Sequence, residues 1–157
     1  MIKIIAVGKI KEKYLSMAID EYLKRLSKFV KVVIEQVKDV SSKESASEKE
    51  EEKVKEIEGM EILSQIKNEY VIALDSRGEM MDSKETSSWM SSLFTNGYSD
   101  LTFVIGGSLG LSKEVLKRAN YIWSFSKLTF PHQLFRVILL EQIYRSYKIM
   151  KNEPYNK

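Results

Sequence analysis

The sequence predicts an α/β fold, a mostly parallel sheet flanked by helices. Two observations predict it. Short apolar runs rich in β-branched residues alternate with segments of helical period, in the order β-α-β-α-β-α-β-α-β-α. Residues suited to ligand contact (Gly8, Asp75, Gly106 and Ser126) recur at the carboxyl ends of those runs, where ligands sit in such sheets. The length of 157 residues and a hydrophobic content of 43% fit one globular domain spanning 1–157.

The elements follow in order. Ile2 to Val7 is an apolar run ending at Gly8, a buried strand. Tyr14, Leu15, Ala18, Ile19, Tyr22, Leu23 and Leu26 recur at helical spacing and make an amphipathic helix. Val30 to Val37 reads as a second strand, and the polar stretch 38–46 is the one linker-like piece. Ser47 with Glu50 reads as a capping box opening a strongly charged helix to about Lys67. Its apolar positions Val54, Ile57, Met60, Leu63 and Ile66 predict one docked edge on an otherwise solvated helix.

Tyr70 to Leu74 is the third strand, followed by a turn at Asp75-Ser76-Arg77-Gly78. Asp82 with Glu85 caps a helix carrying Trp89, Met90, Leu93 and Phe94, and Gly97 stops it. Leu101 to Ile105 is the fourth strand, and Ser112 caps a short helix to about Ala119. Tyr121 to Phe125 is the fifth strand, and Pro131 starts a last helix to about Met150. Apolar residues from Leu134 to Met150 wrap most of that helix, whereas docking on a sheet needs one stripe. The excess predicts a second apolar partner, another copy of the chain.

Composition narrows the function classes. No apolar run approaches the roughly 20 residues that span a bilayer, and no signal-peptide pattern is present, so no membrane partner is expected. There is no cysteine, which excludes disulfides and thiolate metal sites and fits a reducing cytoplasm. His132 is the only histidine, so no metal site is expected. After a proline at a helix start it reads as a cap or a wall rather than a general base. The net charge of +3 is compatible with RNA.

Two loops carry the chemistry. The fourth strand runs into Gly106-Gly107-x-x-Gly110, and the fifth runs through Ser124-Phe125-Ser126-Lys127-Leu128-Thr129-Phe130 to Pro131. The glycine cluster lacks the G-x-G-x-x-G spacing of a dinucleotide site, and no Gly-Lys-Ser/Thr loop for phosphates exists. The plain alternative is a tight strand-to-helix turn. Two backbone-rich loops at strand ends instead predict a small-molecule pocket, with Leu74, Phe125 and Leu128 as apolar walls and Gly106 permitting close approach. Lys9, Lys11 and Lys13, then Lys113, Lys117 and Arg118, then Arg136, Arg145, Lys148, Lys151 and Lys157 are either a solvated face or phosphate contacts beside it.

With these residues in place, the chain resembles the RlmH family of ribosomal RNA large-subunit methyltransferases, within the SPOUT (α/β-knot) superfamily. The resemblance covers essentially the whole chain. It rests on Ala6-Val7-Gly8-Lys9, Glu21-Tyr22-x-x-Arg25, Leu74-Asp75 and Phe103-Val104-Ile105-Gly106-Gly107-Ser108-x-Gly110-Leu111. It rests further on Ser124 to Gln133, Arg136-Val137 and Glu141-Gln142-x-Tyr144-Arg145. It implies S-adenosylmethionine as methyl donor and N3 methylation of a pseudouridine in 23S rRNA of the assembled 70S ribosome. It implies a cytoplasmic homodimer with a deep C-terminal trefoil knot, where pattern alone predicts an unknotted doubly wound sheet.

Matching positions imply donor contacts at Leu74, Gly106, Phe125, Ser126, Lys127, Leu128, Thr129 and Phe130. Arg136, Glu141 and Tyr155 are candidates for transfer chemistry, and Lys9, Lys11, Arg25 and Lys157 for RNA contact. The family's tail reads Pro-Tyr-His-Lys or Pro-Tyr-His-Arg, whereas this chain reads Pro154-Tyr155-Asn156-Lys157. That departure weakens a mechanism with a tail imidazole as base and keeps open a ribosome-binding protein without turnover.

Overall fold

The computed structural model describes residues 1–40 and 42–157. Ser41, within the stretch read as a linker, lies outside the described residues. Five parallel strands form one sheet in the order β2-β1-β4-β3-β5, with β1 Ile2–Val7, β2 Val32–Val37, β3 Tyr70–Met80, β4 Leu101–Ile105 and β5 Tyr121–Ser124. The helices are α1 Lys13–Leu26, α2 Glu48–Ser64, α3 Ser83–Thr95, α4 Lys113–Arg118 and α5 His132–Met150.

The strand order explains why β1 and β4 are almost wholly apolar. Both are central, and alternate residues feed two separate cores. Ile2, Ile4, Phe103 and Ile105 face one side with Ile19 and Leu26 of α1, Met90 and Leu93 of α3, and Leu139, Leu140 and Ile143 of α5. Ile5, Val7 and Val104 face the other with Ile62 of α2 and Val115 of α4.

Three expectations shift. β3 does not end at Leu74. Both Leu74 and Glu79 register with Trp123 of β5, so Asp75 to Gly78 bulge out and the strand resumes to Met80. The bulge is pinned by Asp75, whose Oδ1 accepts Arg77 N and Nε at 2.9 Å each and whose Oδ2 accepts Nη2 at 3.0 Å. Secondly, α2 docks by a face one residue away from the predicted edge. Ile57 and Met60 are 44% and 71% exposed, while Glu58, Gly59 and Ile62 are buried. Gly59 is the cause: a Cβ there would stand 2.3 Å from Ser112 Oγ, so a glycine lets the helix close on the start of α4. Thirdly, α5 lies against both α1 and α3, so partners within the chain account for part of its apolar circumference.

The caps form at the expected residues, but only one of the two expected capping boxes is complete: at Ser47 the Glu50 carboxylate accepts the Ser47 hydroxyl and not its backbone N–H. Asp82 and Glu85 make a reciprocal capping box, at 2.8 Å in both directions. Ser47 Oγ accepts Glu50 N and Ser112 Oγ accepts Val115 N, each at 3.3 Å.

Candidate active site

The carboxyl ends of β3, β4 and β5 open into one cleft of about 540 Å³, the size of a small-molecule site. Each wall comes from a strand end and the loop it feeds. β3 contributes Leu74 and the bulge Asp75-Ser76-Arg77, and β4 contributes Ile105 and the loop Gly106 to Leu111. β5 contributes Trp123 to Ser126, followed by Leu128 to His132 and Phe135 of α5. Lys55 of α2 reaches the rim.

The glycine loop turns sharply. Gly110 N donates to Gly107 O at 3.1 Å, and Gly110 has φ +88°. A Cβ on Gly106 would lie 2.9 Å from the Gly110 carbonyl carbon, so the loop folds over itself only because Gly106 has no side chain. The opposite wall is aromatic. Trp123 packs on Phe125 with ring centres 4.3 Å apart, Phe125 on Phe135 at 4.8 Å, and Phe130 on Phe135 at 6.0 Å. Ser126 shapes the loop between, with its Oγ accepting Leu128 N at 3.0 Å and its carbonyl accepting Ser124 Oγ at 3.1 Å.

Flat apolar walls and turn-borne backbone groups suit a planar heterocycle with a polar edge. The Trp123 indole Nε1 is buried at this wall with no partner among the described residues. The Arg77 guanidinium holds the Asp75 carboxyl below its usual range, so Asp75 is a fixed negative charge at the mouth.

Most of the residues expected at the donor site meet here: Leu74, Gly106, Phe125, Ser126, Leu128, Thr129 and Phe130 line the cleft, and Lys127 does not. Arg136 is elsewhere. It is 1% exposed, and its Nη2 donates to the carbonyls of Val7 and Gly8 at 2.8 Å each, tying α5 to the end of β1. It borders a smaller cavity with Lys9. Glu141 and Tyr155 are joined, the Tyr155 hydroxyl donating to Glu141 Oε1 at 3.0 Å. Arg145 Nε donates to the same oxygen at 3.0 Å, its Nη1 donates to Asn156 Oδ1 at 3.1 Å, and its guanidinium covers the Tyr155 ring at 4.7 Å. Burial and the Glu141 carboxylate push the Tyr155 phenol up to about 12, so it is a donor at neutral pH. Arg25 covers the rings of Tyr22 and Tyr144 at 5.3 and 5.7 Å. Lys11 and Lys157 are exposed.

Sequence reasoning missed Lys55, Arg77 and Trp123 as cleft residues. Arg77 carried a signal, since it lies two residues beyond an aspartate in a turn-forming Asp-Ser-Arg-Gly stretch. Lys55 carried none, because α2 docks one residue off its apolar pattern.

Known proteins agree with this architecture. A family model described as "Predicted SPOUT methyltransferase" matches residues 1–156. Ribosomal RNA large subunit methyltransferase H of Clostridium novyi is 59% identical over 157 residues, covering 99% of both chains. Ribosomal RNA large subunit methyltransferase H 1 of Clostridium perfringens is 57% identical with the same coverage. Among solved structures, a probable methylase family protein from Haemophilus influenzae superposes with a TM-score of 0.55 at 12% identity, covering 99% of this chain and 70% of that one. A probable methyltransferase from Bordetella pertussis gives 0.53 at 9% identity, covering 92% and 95%. The chain belongs to the SPOUT methyltransferase family, among the ribosomal RNA large subunit methyltransferases H.

Proposed function

We propose that this protein transfers a methyl group from S-adenosylmethionine to N3 of a pseudouridine in 23S rRNA of the assembled ribosome, as a cytoplasmic homodimer with the C-terminal knot of its family. The observation that carries the proposal is the cleft at the ends of β3, β4 and β5, floored by Gly106 and walled by Phe125 and Leu128. Its volume and apolar walls fit an adenosyl group, and the loop backbone and the buried Trp123 N–H offer the polar contacts. The Asp75 carboxylate stands where a hydroxyl or cationic part of the donor would find a partner.

When bound, the donor supplies an activated methyl group. The chain then has two tasks: alignment with the base and removal of one proton. Leu74, Ile105 and the 125–130 loop bind and orient the donor, and Phe130 and Phe135 exclude water. The tail cluster serves the base. Tyr155 and Lys157 offer a ring and a charge to the nucleotide. Arg145, held over Tyr155, offers a cation to the anion that forms when N3 loses its proton to solvent.

One chain does not bring these parts together. His132 at the cleft and Glu141 lie nine residues apart on α5, about 14 Å along its axis. We therefore assign to each cleft the tail of the partner subunit. Mixing Gly106→Val chains, whose cleft is blocked, with chains truncated before Pro154 tests this. Mixed dimers are expected to regain turnover through the one cleft and the one tail that remain intact. No regain shows that each cleft uses its own tail.

A further inference from the structure

We infer that Glu58 is a positioning residue for the methyl-donor cleft: from behind, it sets the stance of the 106–110 glycine loop against the end of β1. This rests on the cleft being the donor site.

Glu58 is 3% exposed, while its neighbours Ile57 and Met60 point outward. A helix that buries a carboxyl in preference to an isoleucine and a methionine is not oriented by apolar burial alone. Glu58 Oε2 accepts Val40 N at 3.0 Å, which fixes the chain leaving β2. Its two oxygens lie 3.4 and 3.6 Å from where a Cβ of Gly107 would stand, and Val7 Cγ1 lies 3.2 Å from that point. Gly107 is thus held between the last residue of β1 and Glu58. The next residue, Gly59, closes on Ser112 at the far end of the same loop. One turn earlier, Lys55 reaches the cleft itself. The helix therefore grips the loop from behind at both ends, and the front of the loop is the cleft wall.

Glu58 joins no ion pair among the described residues. Burial, together with the Asp39 carboxyl that faces it, pushes its carboxyl towards the neutral form. Its Oε2 is the acceptor for Val40 N–H. Glutamine keeps that acceptor in the same shape.

The test is S-adenosylmethionine binding by calorimetry, with steady-state transfer to ribosomes, for the full chain and the variants E58A, E58Q and E58D. E58A is expected to weaken donor binding about tenfold, the loss of one buried hydrogen bond. It raises KM for the donor and leaves KM for ribosomes unchanged. E58Q stays within about twofold of the parent. E58D, which draws the carboxyl back by one methylene, follows E58A and stands in for it if E58A does not fold. Parent-like donor binding by both E58A and E58D, a joint rise in both KM values, or a loss in E58Q equal to that in E58A overturns the inference. Failure of the parent chain to bind S-adenosylmethionine overturns the donor-site proposal, and this one with it.

Discussion

Glu69 stays charged although its side chain is nearly buried. Burial works against the charge, but Lys3 Nζ at 2.6 Å and the backbone N–H groups of Lys67 and Glu69 outweigh it, and the carboxyl titrates at about 2. The folded value lies below the ordinary value of 4.5, so this group contributes stability above that pH. The contribution is lost as pH falls from about 4.5 to about 2. Glu69→Gln is expected to lower stability at neutral pH and to flatten its decline in acid, read as the denaturant midpoint against pH. An unchanged acid slope would contradict this. Residues were legible in the sequence where a strand end or break placed them: Gly106 is at the cleft because β4 stops before it, and Leu74 because β3 breaks into its bulge after it. Arg136 was not, because its partners are backbone carbonyls 128 and 129 residues away, which no local pattern encodes.

Helices and strands were legible through period and caps. Asp82→Ala removes a complete capping box and is expected to cost about 1 kcal/mol in urea unfolding. α2 shows where period misleads. Its apolar residues mark an edge one residue away from the docked face, because Gly59 and not a large side chain sets the approach to Ser112. Gly59→Ala separates the two influences. Propensity alone predicts a gain of about 1 kcal/mol for removing a mid-helix glycine. The 2.3 Å contact predicts a net loss of about 2 kcal/mol, since overpacking forces backbone shifts. The bulge at 75–78 looks like a plain turn in the sequence because its cause, the pairing of Glu79 and Met80 with β5, is non-local.

Across the whole molecule, the sheet places three loops around one cleft and leaves apolar residues outside. Tyr14 and Met17 of α1 are exposed, and so is Leu134 of α5, the helix packed on α1. This is the surface on which the proposed second copy is expected to seat, and Met17→Glu is expected to shift sedimentation towards monomer and to lower turnover with it. The cleft's position followed from the strand-end rule for parallel sheets. The proposed knot has no counterpart in pattern or composition: the resemblance alone implies it, since threading leaves no periodic signal.

The most direct measurement is methyl transfer from labelled S-adenosylmethionine to 70S ribosomes purified from a strain lacking this gene, with the product nucleoside identified. The expected product is N3-methylpseudouridine in 23S rRNA, with no incorporation by the Gly106→Val chain. Donor binding without any labelled nucleoside would contradict the proposed transfer, and would mark a ribosome-binding protein in which Asn156 accompanies lost turnover.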